Sequence, residues 1–319
     1  MRNRRQVTKD NKKFIRGLHN LKPERSGCVA TIGSFDGVHL GHQAILRQLI
    51  DKANELGLPS VVMIFEPQPQ EFFSGEQAPA RLMRLREKVE AFIDVGVDKI
   101  FCLQFNRSLR SLSAIDFVEK VLISGLKVRC LVIGDDFRFG HDRSGNYRLL
   151  QQAGYKNNFD VIDTLTLEHQ GERISSTRIR SALGASNFIL AEKLLGEPFK
   201  ITGCVIHGQR FGREIGIPTA NVELKRYSAP LNGVFIVEVL LSNRRLAGVA
   251  NVGIRPTIGD LVKPVLEVHL LDFDEDLYGQ RIHVEFKAKI RDEETFSSLG
   301  VMVKAINRDI PVARKYFTA

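Results

Sequence analysis

With 319 residues, 43% of them hydrophobic and 26% charged, the chain reads as a soluble globular protein with room for two domains. No segment approaches a membrane span, and the basic N-terminus lacks the apolar core and cleavage site of a secretory signal. With four scattered cysteines and no Cys-x-x-Cys, the expectation is a cytoplasmic chain without disulfides or a structural zinc site. The net charge of +9 invites a nucleic-acid reading, but residues 1–26 hold nine Lys/Arg against two acids, so most of the excess lies in an N-terminal arm that reads first as a solvated tail.

In chain order, the first strong signal is Cys28 to Ile32, a short apolar run of buried-strand type, followed from Gln43 to Leu56 by apolar residues at helical spacing. Between them lies Gly33-Ser34-Phe35-Asp36-Gly37-Val38-His39-Leu40-Gly41-His42. Two histidines three apart therefore stand at a helix entrance behind a glycine-punctuated turn, where free backbone N–H groups and the helix dipole attract anions. Two imidazoles there can donate to phosphate oxygens as charge develops in nucleotidyl transfer, without a Walker lysine; the same pair also fits a plain helix cap. Strand-like runs at Ser60 to Phe65, Lys99 to Leu103, Val128 to Ile133 and Phe159 to Asp163 alternate with helix-like stretches at Leu85 to Val95, Ser113 to Ile123 and Tyr147 to Ala153. That alternation predicts a doubly wound parallel sheet. Ser176 to Leu183 and Phe188 to Leu195 read as helices. After Pro198 the pattern changes to short alternating strands, Gly233 to Leu240, Arg245 to Val249, Val265 to Leu270 and Arg281 to Phe286, which predict a small antiparallel barrel closed by a helix from Met302 to Phe317.

Three further clusters fall at the strand ends where open parallel sheets bind ligands. Phe65-Glu66-Pro67-Gln68-Pro69 reads as a stiff, extended proline loop able to wall a flat ring. Gly134 to Gly140, containing Asp136, Phe137 and Arg138 and followed by Arg143, mixes acidic, aromatic and cationic groups that suit a ring and phosphates together. Ile174 to Arg180 opens a helix with Ser175 and Thr177, hydroxyls that are ordinary N-caps but, with Arg180, also suit a triphosphate. Two other functions stay open at this point. One is a basic-armed RNA-binding protein using the barrel as an OB-like platform, disfavoured by a nearly charge-balanced barrel half and the absence of Trp. The other is a cytidylyltransferase of another small phosphate.

The four N-terminal clusters taken together closely resemble the FMN adenylyltransferase module of bacterial bifunctional riboflavin kinase/FAD synthetases. Gly203 to Gly208, Gly212-Arg213, Gly216-Ile217-Pro218-Thr219-Ala220-Asn221, Gly248 to Thr257 and Glu267 to Leu270 through Asp276-Leu277-Tyr278-Gly279 resemble the riboflavin kinase module. The resemblance runs from about Gly17 to Phe317. It implies a Rossmann-like nucleotidyltransferase domain over 14–186 and a Greek-key kinase barrel over 187–319, making FMN from riboflavin and ATP and then FAD from FMN with release of pyrophosphate. It further implies roles for individual residues. Gly33, Phe35, Asp36, Gly37, His39, Gly41, His42, Ser175, Thr177 and Arg180 would hold ATP for adenylyl transfer, the histidines stabilising the α-phosphate. Phe65, Pro67, Pro69, Asn106, Asp136, Phe137 and Arg138 would border the flavin. In the barrel, Gly203, Gly208, Gly212, Arg213, Thr219 and Asn221 would bind ATP, Thr219 and Asn221 also offering oxygen to Mg²⁺. Glu267 would point into the barrel mouth and take the riboflavin 5′-hydroxyl proton, with Arg291, Glu293 and Phe296 on the flavin side. Expected partners are riboflavin, FMN and ATP, with no specific nucleic acid or membrane, in a monomer or weak oligomer. Ile217 for Phe, Phe235 for Tyr, Arg110 for a small residue and Asn146 for Asp depart from the family pattern.

Overall fold

The computed structural model describes residues 13–22, 26–164, 166–208, 216–256 and 262–318. They form two compact units: one runs up to Ala78 and resumes over Leu85–Ile174, and the other combines Pro79–Arg84 with the chain from Ser175 onward.

In the first unit, β1 (Phe14–Arg16), β2 (Cys28–Ile32), β3 (Ser60–Glu66), β4 (Lys99–Gln104), β5 (Val128–Ile133) and β6 (Asp160–Asp163) make a six-stranded sheet in the order β1-β4-β3-β2-β5-β6. Every pairing in it is parallel. All five residues of β2 are buried, as the unbroken apolar run requires of a strand covered on both faces. Helices α1 (Leu40–Leu56), α2 (Pro69–Ser74), α3 (Leu85–Val95), α4 (Arg107–Arg110), α5 (Ala114–Phe117) and α6 (Tyr147–Asn157) connect the strands. From Val118 to Leu126, α5 continues in wider π-helical turns, which the sequence pattern does not announce. Other elements also go beyond the sequence pattern, among them β1 and α2. Edge strand β1 is too short and mixed to stand out, and α2 occupies what reads in sequence as an extended proline loop. There Pro69 holds the first helical position, where its missing N–H costs nothing, and Gln68 and Glu71 cap each other. A hairpin of β7 (Glu168–His169) and β8 (Glu172–Arg173) ends the unit.

Because the order reverses between β2 and β5, the loops leaving Ile32 and Ile133 open the crevice in which sheets of this kind hold ligands.

The second unit begins with α7 (Ser176–Gly184) and α8 (Phe188–Leu195), followed by β9 (Lys200–Ile206), β10 (Ala220–Val222), β11 (Gly233–Leu241), β12 (Arg244–Pro256), β13 (Val262–Leu270) and β14 (Arg281–Arg291). The strands close into an antiparallel barrel in the order β10-β13-β12-β11-β14-β9, and α9 (Leu299–Thr318) ends the chain. β14 returns past the β11-β12-β13 meander to lie beside β11, which is the Greek-key step. Strands β12 and β14 run well past their apolar alternation, extended by ladder pairing with β13 and β11 respectively. Phe235 is fully buried against Phe188 and Phe286, so its departure from Tyr bears on core packing, where a phenol would need a partner. Residues 79–84 are stitched to this unit. Arg180 Nε donates to the Ala80 carbonyl at 2.6 Å and Arg226 Nη1 to that of Arg81 at 2.9 Å, while Arg84 donates to the Thr202 and Glu223 carbonyls.

Candidate active sites on the sheet and on the barrel

The loop from Gly33 to Val38 takes an unusual path before α1. Phe35 (φ 47°), Gly37 (φ 88°) and Val38 (φ 38°) are all left-handed, a geometry that costs a non-glycine residue about 1–3 kcal/mol and persists only where surroundings impose it. Those surroundings are visible: Phe35, Asp36 and Val38 are buried, and Phe35 packs edge-on against Phe92 of α3 with ring centroids 5.5 Å apart. His39 is the N-cap of α1, its Nδ1 accepting from the His42 N–H at 3.3 Å. A neutral ring that accepts at Nδ1 carries its proton at Nε2, so His39 presents a donor from the opposite edge. The two imidazoles stack at 3.6 Å with 18° between their planes. A Cβ on Gly41 would lie 3.2 Å from the His39 ring, so this glycine permits the stack. His42 Nδ1 is buried and has no hydrogen-bond partner among the described residues. Its imidazole is held well below the usual histidine range, first by desolvation and then by the positive neighbours His39, Lys88 and Arg173.

Next to this turn, Gly33, Ser34, Phe65, Pro69, Phe137 and Arg138 help to line a cavity of about 490 Å³. The sequence reading missed much of its wall. Phe73 and Phe105 supply an aromatic face and Arg110 and His141 add polar groups, while Arg143, already noted after the Gly134–Gly140 cluster, joins Arg138 on the wall. Arg110, a departure from the family pattern, stands 5.1 Å over the Phe73 ring. Three expected residues do not line this cavity. Asn106 commits its side-chain oxygen to the Leu109 N–H as the cap of α4, Asp136 pairs with Arg173 at 2.7 Å, and Pro67 lies outside the wall. Asn146 likewise caps α6, accepting from the Leu149 N–H, a task that Asp performs equally well. Ser175 caps α7 through the Arg178 N–H, with Thr177 and Arg180 following in that helix of the second unit.

In the barrel, β13 serves two cavities. Val268 and Leu270 line one of about 280 Å³ with Pro218, Ala220 and the Phe273–Tyr278 loop, where Tyr278 and His207 rings lie 3.9 Å apart. Glu267 and His269 line a second, of about 210 Å³, with Asn251, Arg291, Glu293 and Phe296 and with Met302, Ile306 and Asp309 of α9. Glu267 thus does not enter the barrel. Its neighbours Leu266 and Val268 are the buried side chains, and the two-residue period of the strand turns Glu267 to the other face. Thr219 lines both cavities, and the Pro218 carbonyl before it accepts from His269 Nδ1 at 2.9 Å. Asn221 and Asn251 lie directly opposite Glu267 on the two flanking strands, although Asn221 lines neither cavity. Asp309 is buried and accepts from Arg291 through both carboxylate oxygens, the shorter distance being 2.9 Å. Gly203 lines neither cavity; a Cβ there would meet Val222 and Glu223, so it serves close strand packing. A Cβ on Gly208 would overlap the Asn221 amide, whereas Gly212 and Arg213 lie outside the described residues. Ile217, the first departure noted above, is buried on the wall of the second cavity.

The chain thus carries an anion-favouring helix start on a parallel sheet and, in a separate unit, a barrel with two cavities, features compatible with a group-transferring enzyme. Two family models agree with that division: one described as FAD synthetase matches residues 21–178, and one described as riboflavin kinase matches 195–317. The bifunctional riboflavin kinase/FMN adenylyltransferase of Pseudomonas fluorescens is 54% identical over 301 residues, covering 94% of this chain and 96% of that protein. Its Escherichia coli (strain K12) counterpart is 50% identical over 307 residues, 96% and 98% of the respective chains. A crystal structure described as a macrolide-efflux protein from Streptococcus pneumoniae superposes with a TM-score of 0.78 at 31% identity, covering 94% of this chain and 98% of that one. Among the described residues here, no helix is long and apolar enough to cross a membrane. The chain belongs to the bifunctional riboflavin kinase/FMN adenylyltransferase family.

Proposed function

We infer that the chain phosphorylates riboflavin to FMN with ATP within 187–319, and adenylylates FMN to FAD with release of pyrophosphate within 14–186. The observation that carries this reading is Thr219, which lines two cavities at once, the second containing Glu267. A nucleotide in the first cavity and a flavin in the second would meet there. Glu267 accepts the proton of the riboflavin 5′-hydroxyl as its oxygen attacks the γ-phosphorus and ADP leaves. Arg291 is held by Asp309 and stands 5.6 Å from the Phe296 ring, so both are pre-positioned on the flavin side with Glu293. The donors available near Thr219 suit Mg²⁺. The Thr219 hydroxyl and Asn221 amide are hard, neutral oxygens, and among the described residues no three His, Cys, Asp or Glu converge into a cage, which fits an ion that keeps its waters and binds substrate phosphates. When bound, the ion neutralises charge on the β- and γ-phosphates.

In the α/β unit, an FMN phosphate oxygen attacks the ATP α-phosphorus and pyrophosphate departs, with no covalent enzyme intermediate. His39 and His42 donate to the α-phosphate as its charge grows, and Ser175, Thr177 and Arg180 receive the leaving phosphates. The 490 Å³ cavity, lined by aromatic rings and arginines, suits a flavin ring joined to a phosphate. Asp136 borders the site through Arg173. The substrates are small molecules, and a cytoplasmic location follows from them.

The test is to incubate the protein with riboflavin, ATP and Mg²⁺ and to resolve the flavins by chromatography. FMN appears first and FAD second, and neither forms after chelation of the metal. Unchanged riboflavin under saturating ATP and Mg²⁺ removes the kinase assignment; FMN that accumulates without FAD removes the adenylyl one.

A further inference from the structure

One charged group beside the histidine turn has no part in the chemistry above. Lys88, on α3, is 0% exposed, and its Nζ donates to the Ser34 carbonyl at 3.0 Å. Burying an ammonium is costly unless it is paired and hydrogen-bonded, and Lys is among the residues least often found fully buried, so the partners that hold it there are specific. The loop it touches is the strained one. Phe92, one helical turn further along the same face of α3, packs on Phe35, so a single helix grips two consecutive residues of the turn, Ser34 through a hydrogen bond and Phe35 through an aromatic contact. In a planar trans peptide the carbonyl and the following N–H point in opposite directions. Holding the Ser34 carbonyl toward Lys88 therefore fixes the Phe35 N–H on the other side and with it the left-handed path to His39.

We propose that Lys88 is a positioning residue for adenylyl transfer, a buried lysine supplied from a separate helix that sets the backbone of the Gly33–Val38 turn leading into the paired histidines. The inference rests on the adenylyl-site reading given above. The sequence has no lysine within the turn itself, and Lys88 supplies one from about fifty residues downstream. The charged and titratable groups facing His42 are His39, stacked on it from the start of α1, Lys88 from α3, and Arg173 from β8, which is itself paired with Asp136. Desolvation is the largest reason why the His42 imidazole stays unprotonated, and the Lys88 charge adds to it. Without that charge His42 gains proton affinity.

The test compares the full-length protein with its Lys88→Met, Lys88→Gln and Lys88→Arg variants, following FAD formation from supplied FMN and ATP between pH 5 and 8, with histidine Cε1–H resonances titrated in parallel. Both neutral variants are expected to lose activity most at the acid end, so that the acid limb of the profile and the His42 titration move to higher pH together. Lys88→Arg keeps the parent's limb even where its rate falls. A folded Lys88→Met whose profile runs parallel to the parent's, lower by the same factor at every pH, overturns the inference. So does a pair of neutral variants that cannot fold, since Lys88 would then be a structural cation only. If the parent itself makes no FAD, the adenylyl-site reading fails, and not the role of Lys88 alone.

Discussion

The two sites are built in opposite ways. The histidine site is almost continuous in sequence: ten residues from Gly33 to His42 supply the turn, the cap and both imidazoles, and tertiary structure adds the cation beneath and the cavity beside them. The barrel site is assembled from a distance, with Thr219 ahead of β10, Asn251 on β12, Glu267 on β13, Arg291 on β14 and Asp309 on α9 brought together by strand register and one returning helix. A continuous site depends on the conformation of its own backbone. An assembled site depends on the closure of the whole barrel, and its separate groups can be removed singly without disturbing the path of the chain.

The largest expected effect tests the assembled site. Glu267→Gln preserves shape and removes the base, so FMN formation should drop by ~10² to 10⁴ while FAD formation from supplied FMN persists. The comparison is broken if both rates fall together with the fold intact by circular dichroism. His42→Ala is the reciprocal experiment. Loss of one donor aimed at developing phosphate charge should cost roughly 10² to 10³ in FAD formation and leave riboflavin phosphorylation unchanged, which separate initial-rate assays measure. A smaller effect sharpens the description of the histidine site. The His42 pKa is depressed in the folded chain relative to about 6.5 when unfolded, so the unfolded state binds the extra proton first. Stability is therefore at its full value above about pH 6.5 and declines as the pH falls below it. Urea titrations at pH 7 and pH 5 should show lower stability at pH 5, and His42→Gln, which does not titrate, should lack the part of that loss due to this ring.

The same contrast explains what could be read from sequence. Cys28–Ile32, Gly33–His42 and the helix after them are legible because strand, turn and cap follow one another, each with its own local signal: an apolar run, closely spaced glycines of which Gly37 takes a positive φ, a histidine cap. Glu267 could be singled out, but not the face it takes, which depends on which of two alternating sets fills the barrel. Asp309 and Asn251 carry no local mark at all, being ordinary residues in a helix and a strand until register brings them to the cavity. Lys88 was invisible for a related reason: in an amphipathic helix a lysine reads as a solvent-facing residue, and only the packing of α3 over the turn buries it. The misreading of Pro69 has the opposite origin, since proline at the first position starts a helix as readily as it stiffens a loop.

Residues 79–84 leave the α/β half, are stitched to the barrel half through Arg84, Arg226 and Arg180, and return. The consequence concerns ancestry and gene architecture. Two activities joined by one linker can be parted by a single break in the reading frame, but here a break near Ser175 leaves the barrel half without the excursion whose carbonyls Arg180 and Arg226 use, and leaves Arg84 on the wrong product. Fission at that point therefore demands replacement partners for Arg84, Arg180 and Arg226.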